Sequence, residues 1–235
     1  MEVWSASPLG EDVVDDAADL VADAFLESPA YKYILHGVAG HARAPPARAR
    51  RERDRVVLRM LFRANLRVHA GDRIFSGAFA PHEHARRLVC FFMLRPSSVA
   101  PPKIWRELWL ALQIVWYGGV GTLWRLIRVK NWFESTQKQV VRGYPGASRG
   151  GPYLTLERMV VRPELQGQGV GSRCLAAALQ EADALQLPVF LATQEERNVE
   201  FYSRLGFRVA LAEPVPLDIG GYPNFFMVRD HSQDR

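Results

Sequence analysis

Residues Val161 to Gly171 have the sequence VRPELQGQGVG and join two segments of different periodicity. The preceding run, Leu154 to Val161, is extended and apolar, whereas Ser172 to Leu185 repeats apolar residues at helical spacing. We therefore predict a strand that enters a helix through a glycine-rich loop. Glycine lets the backbone approach a ligand closely, and the free N–H groups of a helix N-terminus attract anions, most often phosphate.

The glycine spacing excludes two familiar nucleotide-binding loops. A P-loop requires Lys and then Ser or Thr after its last glycine, but Gly171 is followed by Ser-Arg. A dinucleotide fingerprint requires G-x-G-x-x-G, whereas Gly167, Gly169 and Gly171 alternate. The loop does contain the pattern Q-x-x-G-x-G, which begins at Gln166.

A second pattern follows at a fixed distance. Residues 188–193, PVFLAT, are predicted to form a short buried strand. Residues 198–207, NVEFYSRLGF, then read as N-x-x-x-[YF]-x-x-x-G-F. Together the two patterns resemble the signatures of the GNAT superfamily, the acyl-CoA-dependent N-acyltransferases, over roughly residues 153–213. The residues of the two patterns are similar to those of the puromycin N-acetyltransferase-like branch, which acts on small molecules.

The remaining periodicity predicts a mixed α/β domain. Helices are expected at Asp12–Leu26, ended by Ser28-Pro29, and at Arg50–Ala70. Strands are expected at Arg73–Ala80, Arg87–Leu94, Tyr153–Val161, Val189–Thr193, Arg208–Glu213 and Asn224–Arg229, with a turn at Pro81–His84. The GNAT resemblance implies a mostly antiparallel central sheet with splayed parallel strands four and five, flanked by helices.

The chain is predicted to be one domain, residues 1–235, with a Trp-rich helical insertion at about 96–150. Within it, Ile104 to Ile127 is strongly apolar, and a transmembrane span is one interpretation. A span needs about 20 apolar residues, and this stretch is interrupted by Gln113 and Arg125. A single span would also place the two halves of the sheet on opposite sides of a membrane. We therefore expect two buried helices with a glycine bend, and an interface-seated hairpin is the remaining alternative.

Composition points to a globular protein. Hydrophobic residues are 48% and charged residues 23% of the 235. The two cysteines, Cys90 and Cys174, lie in different predicted elements, which fits neither a disulfide framework nor a zinc site. The N-terminus is acidic and lacks the apolar core of a secretory signal. We predict a cytoplasmic protein, monomeric or homodimeric, without a metal.

Positive charge is concentrated in one segment. Between Arg43 and Arg73 there are ten arginines and three acidic residues, within a chain of formal net charge +5. Such a segment could attract CoA phosphates, nucleic acid or a membrane surface, or it could be a solvated helix face. Aromatic residues do not alternate with the arginines as they do in single-strand binders. We prefer the solvated face and expect neither a nucleic-acid partner nor membrane contact.

The resemblance implies a binding site for acetyl-CoA as co-substrate. The pyrophosphate would bind backbone N–H groups of the loop and the first helical turn, which comprise Gln166, Gly167, Gln168, Gly169, Val170, Gly171 and Ser172. The arm of the donor would lie along the fourth strand and bind the backbone at Met159, Val160 and Val161. Asn198 would either contact the pantetheine arm or cap its own helix.

The resemblance also suggests two catalytic residues. Tyr202 is at the signature tyrosine position and would protonate the leaving thiolate, because a phenol pKa of about 10 suits a thiol pKa near 8.5. Its alternative role is that of a core aromatic residue. Glu157 is the carboxylate of the fourth strand and is the candidate base. Period-2 alternation predicts that it shares a face with Met159 and Val161, and an ion pair with an arginine is its alternative role.

The predicted reaction is transfer of an acetyl group to the amine of a small molecule, by direct attack in a ternary complex. The tryptophans of the insertion suggest an apolar or aromatic acceptor. The fifth strand has Ala192 where the branch often has Glu, and this difference bears on which amine is bound. Two alternatives remain open at this stage. One is a protein or peptide N-acetyltransferase, and the other is a non-catalytic acyl-CoA-binding protein with membrane-surface contact.

Overall fold

Seven strands form one sheet in the computed structural model, which describes residues 7–8, 13–38, 48–68, 74–79, 88–145, 147 and 150–231. The strands are β1 (Ser7–Pro8), β2 (Ile74–Phe79), β3 (Leu88–Pro96), β4 (Leu154–Val161), β5 (Val189–Thr193), β6 (Arg208–Ala212) and β7 (Phe225–Arg229). Their order in the sheet is β1-β2-β3-β4-β5-β7-β6. Neighbours are antiparallel except β4 and β5, which are parallel. The predicted turn at residues 81–84 lies outside the described residues.

Helices cover both faces of the sheet. They are α1 (Val14–Phe25), α2 (Pro29–His36), α3 (Arg48–Val68), α4 (Ile104–Gly118), α5 (Val120–Arg142), α6 (Val170–Ala184) and α7 (Glu196–Ser203), with 3₁₀ turns at Pro163–Leu165 and Leu217–Ile219. This architecture confirms the predicted fold class. Helix α2 was not predicted, because Pro29 was interpreted only as a helix terminator. Pro29 instead occupies the first turn of α2, where its missing N–H has no intrahelical partner to lose.

Strands β4 and β5 separate soon after they begin. They pair only at Leu154 with Val189 and at Thr155 with Phe190. The last six residues of β4 therefore have no partner on the β5 side, and a gap opens at the carboxyl ends of the two strands. This gap is the predicted splay, and it ends at the glycine-rich loop.

A β-bulge interrupts β4 beside the gap. Met93 of β3 pairs with Glu157, but Phe91 pairs with Val160, so two residues of β4 oppose Phe92. Arg158 is at the bulge and has a φ of 57°, in the left-handed region that non-glycine residues seldom adopt. A bulge adds one residue to one strand and shifts the alternation of side chains beyond it.

The bulge corrects the predicted orientation of Glu157. Met159 and Val161 pack against the core beneath α6, on what we call the α6 face of the sheet. Thr155 accepts a hydrogen bond from Gln137 of α5 (3.0 Å) and so lies on the opposite side, the α5 face. Glu157, two residues further along, shares the α5 face. The prediction that it shares a face with Met159 and Val161 was wrong, because strict period-2 alternation ignores the extra residue.

The arginine-rich segment forms one side of an ion-pair ladder. Acidic residues of α1 and the turn after it recur every fourth residue, as do arginines of α3. The pairs are Asp15–Arg63, Asp19–Arg59, Asp23–Arg55 and Glu27–Arg51. Because these arginines are matched by carboxylates at a helix–helix contact, they are a partly solvated structural surface, in keeping with the preferred interpretation of the segment.

The tryptophan-rich segment forms an antiparallel helix pair, α4 and α5, joined at Gly119. The two helices and the glycine bend agree with the prediction, but their burial does not. Ile114 is the buried residue of α4, whereas Trp109 and Trp116 are 58% and 83% exposed. The prediction that these two helices are buried was therefore wrong. None of the described helices is both long enough and apolar enough to cross a membrane.

Candidate active site

The loop after β4 presents an open helix N-terminus. Gly169 is the N-cap of α6 and has a φ of 74°, which favours glycine because a side chain would strain that conformation. No side chain caps the helix, and its first turn contains no acidic residue. The first N–H groups of α6 therefore keep their hydrogen-bonding capacity, next to the positive end of the helix dipole. An anion fits this position.

Gly171 is required for a different reason, which is close packing. A Cβ atom at this position would lie 2.9 Å from Cγ2 of Val161 and 3.1 Å from Cε of Met159. The first turn of α6 therefore lies directly on the two β4 side chains that precede the loop. This contact fixes the helix N-terminus at the mouth of the gap between β4 and β5.

The polar side chains of the loop stabilise its conformation. Gln166 Nε2 donates to the carbonyl oxygen of Val161 (3.0 Å), and Gln168 Nε2 donates to that of Glu164 (2.9 Å). Arg173 Nη1 donates to the carbonyl oxygen of Gln168 (3.2 Å). The two glutamine side chains thus bond the loop itself, and the backbone N–H of Gln166 donates to the carbonyl oxygen of Pro163 (3.3 Å).

The open edge of β4 supplies further backbone groups. The N–H of Arg162 donates to the carbonyl oxygen of Val89 on β3 (2.9 Å). Because successive residues of a strand direct their backbone groups to opposite edges, the N–H groups of Val161 and Met159 point to the β5 side. They face the gap that ends at the loop, and their contact with a donor stays a prediction. Val160 directs its backbone towards β3, and its side chain is buried on the α5 face.

Tyr202 lies near the end of α7 and contributes to the core beneath α6. Its ring contacts Phe201 and Phe207, with centroid separations of 5.0 and 5.7 Å. Burial raises the pKa of the Tyr202 hydroxyl, and the neighbouring Cys90 thiol adds to the rise. Cys90 pairs with Val161 across the sheet, which places the hydroxyl close to the end of β4. Tyr202 is therefore both a core aromatic residue and a protonated phenol near the gap.

Asn198 does not cap its helix. The N-cap of α7 is Glu195, and the Asn198 N–H donates to the Glu195 carbonyl oxygen (3.0 Å) inside the first turn. The capping alternative for Asn198 was therefore wrong. Its side chain is half-buried, and its contact with the pantetheine arm stays a prediction.

Glu157 lies between two arginines at the bulge. Arg95 Nε is 3.3 Å from one carboxylate oxygen, and Arg158 Nη1 is 3.9 Å from the other. The ion pair with an arginine, given above as the alternative role of Glu157, is therefore present. Tyr31 of α2 is close enough to interact electrostatically with both Glu157 and Arg158, and burial raises the pKa of its hydroxyl. Tyr31 and Arg158 were missed in the sequence, because a bulge and an unpredicted helix bring them together.

Aromatic side chains extend the α5 face from Glu157. Tyr31 packs on Phe62 with centroids 5.2 Å apart, and Arg158 lies over the same Phe62 ring at 5.5 Å. Beyond them, Trp132 of α5 contacts Phe226 of β7 at 6.1 Å. On the outer side of Trp132 is a groove of about 330 Å³, lined by Arg128, Asn131, Trp132, Pro216, Asp218 and Ile219.

This arrangement matches a known family. Residues 129–209 match the family model described as acetyltransferase (GNAT) domain. The chain carries a GNAT acetyltransferase domain. The matched segment contains β4, the glycine-rich loop, α6, β5 and α7, and it confirms the superfamily predicted from the two motifs. The protein is accordingly an N-acetyltransferase, and its membership of the puromycin N-acetyltransferase-like branch stays a prediction.

Solved structures share the fold at low sequence identity. A Corynebacterium glutamicum structure named histone acetyltransferase HPA2 and related acetyltransferase is 17% identical, covers 99% of both chains and has a TM-score of 0.59. A putative arylalkylamine N-acetyltransferase 7 from the yellow fever mosquito is 15% identical over 97% of this chain and 87% of its own, with a TM-score of 0.61. A polyamine N-acetyltransferase from Drosophila melanogaster is 13% identical over 96% and 98%, with a TM-score of 0.51.

Among the described residues of the acetyltransferase, no group of three or more His, Cys, Asp or Glu side chains is placed to hold a metal ion. The gap is bordered by backbone amides, with the phenol of Tyr202 in the core beneath α6 and the carboxylate of Glu157 on the α5 face. These are the groups that acyl transfer to an amine uses.

Proposed function

We propose that the protein transfers an acetyl group from acetyl-CoA to the amine of a small molecule, by direct attack in a ternary complex. The observation that carries this proposal is the position of the β4–β5 gap, which opens directly beside the uncapped N-terminus of α6. One elongated donor could therefore place its pyrophosphate on the helix and its thioester in the gap.

The donor would be held mainly by backbone. Loop and helix N–H groups from Gly167 to Ser172 bind the pyrophosphate, with the helix dipole behind them. The N–H of Gln166 already donates to the Pro163 carbonyl oxygen. The N–H groups of Met159 and Val161, directed at the open edge, bind the pantetheine arm and polarise the thioester carbonyl. The half-buried Asn198 adds a side-chain contact to the arm.

Tyr202 would act as the general acid. Its pKa is raised by burial, so the hydroxyl remains protonated at neutral pH and is ready to donate to the leaving thiolate. Desolvation in the same surroundings also raises the pKa of the leaving thiol, so the pKa values of the phenol and the thiol stay close to each other.

Glu157 would act on the amine from the α5 face. It is the candidate base and would accept the proton of the attacking amine directly or through a water molecule, on release from its ion pairs with Arg95 and Arg158. The aromatic residues beside it, Tyr31 and Phe62, favour an acceptor with an apolar or aromatic body. The related folds named for arylalkylamine and polyamine acceptors suggest the first compounds to test.

The test is free-thiol release from acetyl-CoA with aryl-alkyl amines, alkyl amines, polyamines and a peptide as acceptors. Tyr202→Phe should lower kcat by about tenfold or more and leave the KM for acetyl-CoA nearly unchanged. Tyr153→Phe is the matched control, since Tyr153 packs on Phe190 at the opposite end of β4. Donor binding without turnover of any amine would contradict the proposed function, and turnover of the peptide alone would identify a peptide N-acetyltransferase.

A further inference from the structure

One large apolar surface of the molecule takes no part in the site. It runs along the outer side of α4 and the start of α5, and we call it the apolar hairpin face. Its members are Ile104, Trp105, Leu108, Trp109, Leu112, Trp116, Tyr117, Val120, Trp124 and Ile127, each between 46% and 83% exposed. A contiguous exposed patch of this kind marks an interaction site in soluble proteins.

Helical spacing explains why these side chains form a single surface. In α4, Ile104, Leu108, Leu112 and Trp116 recur every fourth residue and therefore lie on one side of the helix. The opposite side of the hairpin packs against the domain core through Ile114 of α4, with Leu110, Leu123 and Leu126. Both sides of α4 are thus apolar, but the domain covers only one of them.

The composition of the face favours a lipid surface over a protein. It carries four of the six tryptophans of the chain and no charged residue. Tryptophan and tyrosine prefer the membrane–water interface, where the ring is buried and its polar atom stays hydrated. Helix α4 has 15 residues, which is too short to span a bilayer but sufficient to lie in its surface.

Charge around the face complements an anionic membrane. Residues 103–130, which contain the face, carry five basic residues against Glu107, a formal charge of +4. Arg106 lies over the Trp105 ring at 5.4 Å, and Arg128, which also pairs with Asp218, lies over the Trp124 ring at 4.7 Å. Lys103, the N-cap of α4, is exposed beside them, where lipid phosphates would meet it.

We propose that the apolar hairpin face docks the protein onto the surface of a bilayer that contains anionic lipids. The tryptophan rings enter the headgroup region, and the basic residues at the rim bind the headgroups. This proposal replaces the sequence-based expectation of no membrane contact. Arg128 also lines the groove beside Trp132, so docking brings that groove close to the lipid surface.

The test uses the full chain with vesicles of phosphatidylcholine, with and without phosphatidylserine. Wild type should sediment with the vesicles that contain phosphatidylserine, its tryptophan emission should shift to the blue, and added salt should weaken binding. Leu112→Glu places a charge in the middle of the face and should weaken binding by about tenfold or more. Gln139→Glu adds the same charge at an exposed position of α5 away from the face, and should bind nearly as wild type does.

Trp109→Ser provides a second variant without a new charge and should also bind more weakly. Thermal melts of the three variants should agree with wild type, because Leu112, Trp109 and Gln139 are exposed. Absence of vesicle binding by wild type, or equal binding by Leu112→Glu and Gln139→Glu, would overturn the proposal. So would a wild-type dimer that Leu112→Glu dissociates in sedimentation velocity without any vesicle binding, since the face would then belong to a second copy.

Discussion

Helices α6 and α4 each have 15 residues, yet they bury their apolar residues very differently. Helix α6 buries seven of its residues against the sheet, whereas α4 buries Ile114. The more apolar of the two helices is thus the more exposed one. The difference teaches that hydrophobicity alone does not locate the core. Helix α6 packs closely on β4, and this contact fixes the position of its N-terminus. Helix α4 instead directs one apolar side outward.

The same substitution in the two helices should change the free energy of unfolding by very different amounts. Leu175→Ala in α6 removes a side chain that is 0% exposed and should destabilise the protein by about 2–5 kcal/mol. Leu112→Ala in α4 removes one that is 58% exposed and should change stability by no more than about 0.5 kcal/mol. Denaturant unfolding of both variants measures this contrast. Similar losses for the two would show that the α4 side chain is packed in solution.

The contact between α6 and β4 can be tested with a single methyl group. Gly171→Ala forces a Cβ against Val161 and should cost about 1–3 kcal/mol, with weaker donor binding because the helix N-terminus moves. Gly143→Ala is the control, since Gly143 has a φ of −75° and an added Cβ there meets its nearest atoms at 3.6 Å. It should stabilise the protein by about 0.4–1 kcal/mol. Equal melting temperatures for the two variants would argue against the close contact at Gly171.

The smallest expected effect concerns the ion-pair ladder. A hydrogen bond from Lys32, with Arg51 nearby, lowers the pKa of Glu27 from its ordinary value of 4.5. Because the folded-state pKa is depressed, this stabilisation is present above the unfolded-state pKa and is lost as the pH falls through the folded-state pKa. Glu27→Gln should therefore lower the melting temperature slightly at pH 7, and the difference from wild type should shrink as the pH falls through the folded-state pKa. A difference that stays constant from pH 7 down to acid pH would mean that charge is not the cause.

The glycine-rich turn between β4 and α6 could be predicted from the sequence because local rules determine it. Position 169 has a positive φ, and position 171 has no room for a Cβ atom. Both requirements favour glycine, so the sequence shows them directly. The bulge at Arg158 was not visible, because pairing with β3 determines where the extra residue is inserted. Glu157 was assigned to the wrong face for that reason. Pro29 is compatible with either the end or the start of a helix, so α2 was missed, and with it the position of Tyr31.

The ladder could have been predicted. Acidic residues at 15, 19, 23 and 27 and arginines at 51, 55, 59, 63 and 67 both recur every fourth residue, which indicates two complementary helix faces. The exposure of α4 could not have been predicted from the sequence. An apolar stripe shows that a helix side avoids water, but it does not show whether the domain or another surface covers it.

The central claim is that the N-terminus of α6 binds the pyrophosphate of the donor. Calorimetric titration of the wild-type protein with acetyl-CoA and with acetyl-pantetheine, which lacks the pyrophosphate and the nucleotide, tests it most directly. Several charge-assisted hydrogen bonds are lost with the pyrophosphate, so acetyl-pantetheine should bind at least about 100-fold more weakly. Equal affinity for the two compounds would contradict the claim and would place donor recognition elsewhere in the molecule.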